Sequence, residues 1–275
     1  RRGAQSIVAE SARNQVVSGA EPIAITDGLN FGNPEKPEVY YQLEQSIIGI
    51  SEACRALDTP VIGGNASLYN QTPEFGSIYP TPIIGMTGLV KSLAHVTTME
   101  FKDEGDFVIL IGETKEELGA SEYLDVIHNL VTGDVPELDL ALERKAQDYI
   151  LAIIRQGLVK SAHDLGDGGL AVALAESCIA GKLGASVSLD LDMRADALLF
   201  GESQTRFMLS ADEKSTDKII ELAAQQGLEA AVIGRVTKAK DIIINNMDEK
   251  LIDISVDECG TAFSTGFDKL MKTDT

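Results

Sequence analysis

Four stretches of this chain carry residue types and spacings that could do chemistry. The first is Thr26-Asp-Gly-Leu-Asn-Phe-Gly-Asn-Pro34. An Asp at the end of a strand, followed by a Gly-rich loop, can hold a metal–phosphate group, because the strand fixes the carboxylate and the loop N–H groups face anionic oxygens. The same residues also suit an ordinary turn. The second is Val61-Ile-Gly-Gly-Asn-Ala-Ser-Leu68. Its glycines let backbone approach a ligand, Asn65 offers a neutral oxygen to a hard cation such as Mg²⁺, and Ser67 offers a hydroxyl. Neither a Walker A loop nor a GxGxxG fingerprint is present, and a strand-ending turn explains the segment equally well.

The third stretch is His163-Asp-Leu-Gly-Asp-Gly-Gly169, set before a helix. Gly-Gly at a helix start exposes N–H groups that can hold an anion. His163 and Asp164 are adjacent in an extended segment and should face opposite ways. The plainer reading is a capped helix start with His163 in a structural hydrogen bond. The fourth is Leu198-Leu-Phe-Gly-Glu-Ser-Gln-Thr-Arg-Phe-Met208. Its Glu202-Ser203-Gln204 set can bond a polar ligand, or Glu202 and Arg206 can form a weak surface pair. His95 and His128 have no ligand-like companions, and no Ser-His-Asp or Cys-His arrangement follows from spacing.

The elements that must position these residues alternate between helix and strand. Apolar periodicity predicts helices over 4–18, 38–57, 116–130, 136–156, 169–180, 214–226 and 257–271. Strands are predicted over 22–26, 60–62, 78–90, 106–111, 158–162, 185–190, 205–210, 229–236 and 241–245. The segment 27–37 reads as a loop, and Pro80 and Pro82 put the 78–90 strand at an edge or bend. A polar stretch near 96–102 divides the chain into domains at 1–98 and 99–275. No simple βαβ rhythm appears, so the fold class is α+β.

Composition narrows the partners. With 23 basic and 43 acidic residues among 275, the net charge is −20. Nucleic acid and anionic membranes are therefore poor partners. No apolar run approaches the roughly 20 residues needed to cross a bilayer. Three widely spaced cysteines suggest neither a disulfide framework nor a metal site, which fits a reducing cytoplasm. The first residue is Arg1 rather than Met, so the chain reads as processed or as a piece of something longer.

Taken in order, the motifs resemble one family. Arg2-Gly-Ala-Gln5, Gly19-Ala-Glu-Pro22, Thr26-Asp27, Leu29-Asn-Phe-Gly-Asn-Pro-Glu35, Gly63-Gly-Asn-Ala-Ser-Leu-Tyr-Asn70, His163-Asp164, Asp167-Gly-Gly-Leu170 and Gly201-Glu-Ser-Gln204 are similar to the C-terminal half of the synthetase subunit of phosphoribosylformylglycinamidine synthase. The resemblance implies the PurM-like fold of aminoimidazole ribonucleotide synthetase, with an N-terminal α+β half-barrel domain and a C-terminal α/β sandwich domain. It implies an ATP-dependent C–N ligase of purine biosynthesis, with Mg²⁺ and ATP as cofactors and formylglycinamide ribonucleotide as substrate. Partners implied are the N-terminal half of the same synthetase, a glutamine amidotransferase subunit and a small accessory subunit.

Carried over by position, Asp27 and Gly64 match ATP contacts, Asn65 a Mg²⁺ ligand and Ser67 a substrate contact. Glu202, Ser203 and Gln204 match a substrate-binding stretch of the first half by pseudo-symmetry only. The family's catalytic histidines and most metal-binding carboxylates belong to that first half, so no catalytic residue is assigned here and the piece alone should be inactive. Two rival readings are a non-catalytic scaffold half with a vestigial or structural nucleotide site, and a stand-alone relative such as aminoimidazole ribonucleotide synthetase. A half-barrel also implies an exposed strand surface, through which the isolated chain should self-associate.

Overall fold

A computed structural model describes residues 1–272. In chain order the elements are α1 (Arg2–Val17), β1 (Glu21–Asn30), α2 (Pro37–Leu57), β2 (Val61–Ser67), β3 (Gln71–Thr72), β4 (Gly76–Ser77), β5 (Thr81–Leu89), β6 (Phe107–Ile111), α3 (Glu122–His128), α4 (Leu140–Arg155), β7 (Ser161–Asp164), α5 (Gly169–Gly181), β8 (Gly184–Leu189), α6 (Ala195–Phe200), β9 (Phe207–Ala211), α7 (Glu213–Gln225), β10 (Ala230–Thr237), β11 (Asp241–Asn246), β12 (Glu249–Ser255) and α8 (Val256–Lys272). Helices and mostly antiparallel strands mix throughout, as an α+β fold requires.

Two compact units emerge: Arg1–Val96 with Asp134–Arg155, and Thr97–Gly133 with the chain from Gln156 onward. This differs from an unbroken second domain over 99–275, because α4 belongs with the first unit. The cause is its buried face. Arg13 Nη1 of α1 donates to Glu143 Oε2 at 3.0 Å, with side-chain exposures of 1% and 0%. Gln147 Nε2 donates to Glu143 Oε1 at 2.7 Å and to the Ala9 carbonyl at 3.3 Å. A charge pair this deep is tolerated only where hydrogen bonds satisfy both groups, and sequence periodicity does not reveal which helix supplies the partner.

In the first unit a sheet of order β2-β1-β5 lies against α1 and α2. Ala4, Val8, Ala9 and Ala12 of α1 pack with Ile25 of β1 and with Ile50, Ala53, Cys54 and Leu57 of α2. Two expected turns are strand instead: β1 runs through Asp27-Gly-Leu-Asn30, and β2 through Gly63-Gly-Asn-Ala-Ser67. Turn-forming residues stay extended here because β1 is flanked by parallel pairing to β2 and antiparallel pairing to β5. Such pairing outweighs weak local propensity.

The second unit is built on a seven-stranded sheet of order β12-β11-β8-β10-β6-β9-β7. Its main core joins Val108 and Leu110 of β6, Leu170 and Leu174 of α5, Val187 of β8, Leu198 of α6 and Ile242 and Ile244 of β11. The sequence reading missed α6 and β12, and the long helix expected over 116–130 is only the short α3. Among the described residues no helix is long and apolar enough to cross a membrane.

Candidate functional site

Register and pleat divide the first unit's candidate residues between two faces. Asp27 pairs with Gly64 and Ile84, Gly28 with Asn65 and Ile83, and Asn30 with Ser67 and Thr81. Side chains alternate along a strand. Ile25, Leu29, Ile84 and Met86 all pack toward the helices, so Asp27 and Gly64 share the helix side of the sheet, although Gly64, on the edge strand β2, remains exposed. Thr26, Gly28, Asn30, Gly63, Asn65, Ser67, Ile83 and Gly85 share the other, which is open. There Ile83 is 59% exposed.

Each face has its own local logic. A Cβ at Gly64 would lie 2.0 Å from Asp27 Oδ1 and 2.3 Å from the Asp27 carbonyl oxygen, and Gly64 has φ +156°. The Asp27 carboxylate thus occupies the space that a side chain at 64 would take. Beneath it, burial raises the Cys54 thiol's pKa foremost, and the Asp27 charge adds to the rise. On the open face, a Cβ at Gly28 would sit in ordinary contact with Asn65 Oδ1 at 3.5 Å, whereas a Cβ at Gly63 would find only Thr26 Cγ2, at 3.9 Å. Packing therefore gives no reason for glycine at 63, while close approach by a ligand would.

Ser67 is pinned in place. Asn70 Nδ2 donates to the Ser67 carbonyl at 2.8 Å and to the Phe31 carbonyl at 3.2 Å, and Ser67 Oγ donates to Asn70 Oδ1 at 3.3 Å. Asn30 Nδ2 donates across the sheet to the Thr81 carbonyl at 3.1 Å. Sequence reasoning did not single out Asn30, Asn70 or Thr26. Their signal is the alternation Thr26, Gly28, Asn30, which becomes legible only once the segment is taken as strand.

In the second unit, no side chain caps the Gly168-Gly169 helix start; the anion it holds is one of the chain's own carboxylates. Gly168 N–H donates to Glu202 Oε1 at 3.0 Å, and Glu122 N–H donates to the same oxygen at 2.9 Å. Gly169 N–H donates to the Gly166 carbonyl at 3.0 Å. Both glycines have positive φ, +76° and +63°, and a Cβ on Gly169 would lie 2.5 Å from the Gly201 carbonyl oxygen. Burial raises the Glu202 carboxyl's pKa, and the two N–H bonds pull it part of the way back. Ser203 is buried and bonds the Lys115 backbone at 3.2 and 3.3 Å, while Gln204 Nε2 donates to the Glu202 carbonyl at 3.2 Å.

Arg206 is not in a surface pair with Glu202. It is fully buried, and its guanidinium donates to the Ser203 carbonyl at 3.0 Å, to Thr114 Oγ1 at 3.3 Å and to the Gly201 carbonyl. A guanidinium in the core holds its charge by lashing the Gly201–Thr205 loop to itself. His163 makes the structural hydrogen bond expected of it, but Asp164 does not face away from it. Its Nδ1 lies 3.5 Å from Asp164 Oδ1, and its Nε2 bonds Glu176 Oε2 at 3.0 Å. The strand ends at Asp164, so strict alternation no longer separates the two neighbours. Burial works against the charged ring, yet the bonds to Asp164 and Glu176 prevail and lift its pKa to about 9.

A Mg²⁺ ion wants several oxygen ligands arranged octahedrally. Asn65 and Ser67 supply neutral oxygens on the open face, but Asp27 is on the other one. No cluster of three or more His, Cys, Asp or Glu suited to a metal occurs among the described residues. The residues present thus do not fit a complete Mg²⁺ site.

Family models described as AIR synthase related protein match the chain twice, the N-terminal domain over residues 1–90 and the C-terminal domain over 103–245. The chain belongs to the AIR synthase related family. Within that family it is similar to phosphoribosylformylglycinamidine synthase subunit PurL of Caldanaerobacter subterraneus subsp. tengcongensis, at 46% identity over 93% of this chain and 34% of the relative. It is 50% identical to PurL of Alkaliphilus metalliredigens over 86% of this chain and 32% of the relative. The chain thus spans about a third of the length of these curated relatives.

Among solved structures, T. maritima PurL complexed with FGAR aligns with a TM-score of 0.77 at 22% identity, covering 94% of this chain and 43% of that one. The E. coli hydrogenase maturation protein HypE aligns at 0.68 and 17% identity, covering 92% and 78%. At such identities these likenesses establish the fold of this AIR synthase related chain and nothing more.

Proposed function

We propose that this chain is the C-terminal part of a PurL-type synthetase, the ATP-dependent C–N ligase that converts formylglycinamide to formylglycinamidine ribonucleotide. On this reading its open sheet face forms part of the Mg·ATP and substrate site. The observation that carries the reading is that face itself: small, polar and interleaved with glycines, in a chain 46–50% identical to curated PurL proteins. T. maritima PurL has been captured with FGAR, ATP and AMPPCP.

In this assignment the Asn65 side chain would offer one neutral oxygen to a Mg²⁺, and the rest of the coordination would have to come from outside this chain, since the described residues do not complete it. Ser67, held by Asn70, presents its hydroxyl to the substrate. Asp27 and Gly64 would contact the nucleotide only at the exposed edge strand β2, where Gly64 lies beside the Asp27 carboxylate. Gly63 keeps the approach to Asn65 clear. The reaction itself needs the rest of the synthetase and an ammonia-supplying glutaminase with its accessory subunit, so the chain alone is inactive. The exposed Ile83 belongs to a sheet surface that pairs with a partner domain, or with a second copy when the chain is alone.

A second reading, a scaffold half without a working nucleotide site, is favoured by the Glu202 and Ser203 hydrogen bonds, which commit both groups to the chain's own backbone. Calorimetric titration of Mg·ATP into the chain separates the two. Saturable binding lost in Asp27→Ala and Asn65→Ala supports the nucleotide site, whereas binding indifferent to both substitutions overturns the assignment. If the unsubstituted chain alone shows no binding, the titration is repeated with the rest of the synthetase added, and only absence of binding there leaves the scaffold reading.

A further inference from the structure

The second unit contains a cavity of about 560 Å³ between α5, α8 and β12, a size that suits a small organic ligand. Ala171, Ala175 and Ile179 of α5, Ile252 and Ile254 of β12 and Phe263 of α8 give it apolar walls. Its charged lining is one-signed: Glu176 and Asp253 contribute carboxylates, and no Lys, Arg or His lines it among the described residues. Asp253 is neutralised by Lys250 Nζ at 2.6 Å.

Glu176 differs from Asp253. Its Oε2 is bonded to His163 Nε2 at 3.0 Å, while its Oε1 takes no hydrogen bond among the described residues. Behind it, the His163 imidazole meets two carboxylates, Glu176 and Asp164. One imidazolium against two carboxylates leaves a net negative charge beside the apolar walls. A carboxylate with a vacant acceptor and no competing cation in the lining selects against anions and favours a donor that is itself charged.

We propose that this cavity binds a small apolar molecule carrying a single protonated amine, its hydrocarbon body between α5 and α8 and its ammonium on Glu176 Oε1. The site is separate from the sheet face of the first unit and does not depend on the function proposed there. Flat apolar surface alone would not choose among ligands; the Glu176 oxygen makes the choice. Cys259 also lines the cavity and supplies a reporter. Cys54 and Cys178 are buried, whereas Cys259 is partly exposed, so an occupant should shield Cys259 from a small alkylating agent.

The test uses three probes of similar shape on the whole chain: 2-phenylethylamine, 2-phenylethanol and 3-phenylpropanoate. Each is titrated by calorimetry, and Cys259 alkylation by iodoacetamide is followed by mass spectrometry over the same range. The amine should bind saturably and protect Cys259. The alcohol should bind about tenfold more weakly, matching the loss of one charge-assisted hydrogen bond, and the carboxylate more weakly still. Glu176→Gln should bring the amine to the affinity of the alcohol, and Ala262→Phe at the exposed edge should abolish both binding and protection. Absence of saturable amine binding overturns the proposal. So does binding without Cys259 protection, or an amine affinity unchanged by Glu176→Gln. Equal binding of amine and alcohol would replace it with a purely apolar site.

Discussion

Replacing Gly64 by Ala tests the link between the sheet and its candidate ligands. The new Cβ would lie 2.0 Å from Asp27 Oδ1 and 2.3 Å from the Asp27 carbonyl oxygen. The carboxylate can swing away, but the carbonyl is fixed by strand pairing on both sides of β1. Overpacking of this kind costs about 1–3 kcal/mol, and the strained backbone at φ +156° adds a further ~1–2 kcal/mol for a residue with a side chain. A loss of about 3 kcal/mol lowers a urea midpoint by about 1.5 M at a slope of about 2 kcal/mol per M.

The chain has two compact units, so each needs its own probe. Cys54 is buried in the first unit's core and Cys178 in the second's. Pulsed thiol labelling against urea should move the Cys54 transition and leave that of Cys178 in place. Gly63→Ala is the control: a Cβ there meets nothing nearer than 3.9 Å, and its stability should lie within about 0.5 kcal/mol of the parent. Adding Asp27→Ala to Gly64→Ala should recover less than half the loss, because the carbonyl clash remains. Equal midpoints for Gly63→Ala and Gly64→Ala would refute the reasoning.

Glu143→Ala strands the Arg13 guanidinium in the core and should cost about 3–5 kcal/mol, read at Cys54; Arg13→Met with Glu143→Leu should recover much of it. Glu202→Ala leaves the Gly168 and Glu122 N–H groups without their acceptor and should destabilise the second unit by about 2–3 kcal/mol, read at Cys178. His163 is raised from 6.5 to about 9, so its contribution is complete below pH 6.5 and fades as pH rises through 9. Over that window the second unit should lose about 3 kcal/mol in the parent, and His163→Gln should flatten the profile. Glu176→Gln should bring the His163 titration, followed by ring NMR, back toward neutrality.

The helices were the most legible part of the sequence. α1, α2 and α7 follow apolar spacing within a residue or two, because each buries one stripe against a sheet or a neighbouring helix. What failed to read is instructive. Asp27-Gly-Leu-Asn30 and Gly63-Gly-Asn-Ala-Ser67 look like turns, since strand pairing with distant residues is invisible locally. With those strands unseen, nothing in the sequence showed that Asp27 and Asn65 stand on opposite faces of the sheet. α4 looked like part of the second domain, because the Arg13–Glu143 bond spans 130 positions. Gly168-Gly169 read more simply as a capped helix start, but no side chain caps it, and the carboxylate there comes from Glu202, which the sequence offered as a ligand contact of its own.

The most direct measurement of the central claim is the rate at which this chain, combined with the remaining part of the synthetase and a glutaminase, forms formylglycinamidine ribonucleotide. Asn65→Ala should lower that rate at least about tenfold, as losing a group at a metal ion does, while sedimentation shows the assembly intact. An assembled complex that turns over at the parent rate with Asn65→Ala would contradict the account and make this chain a scaffold.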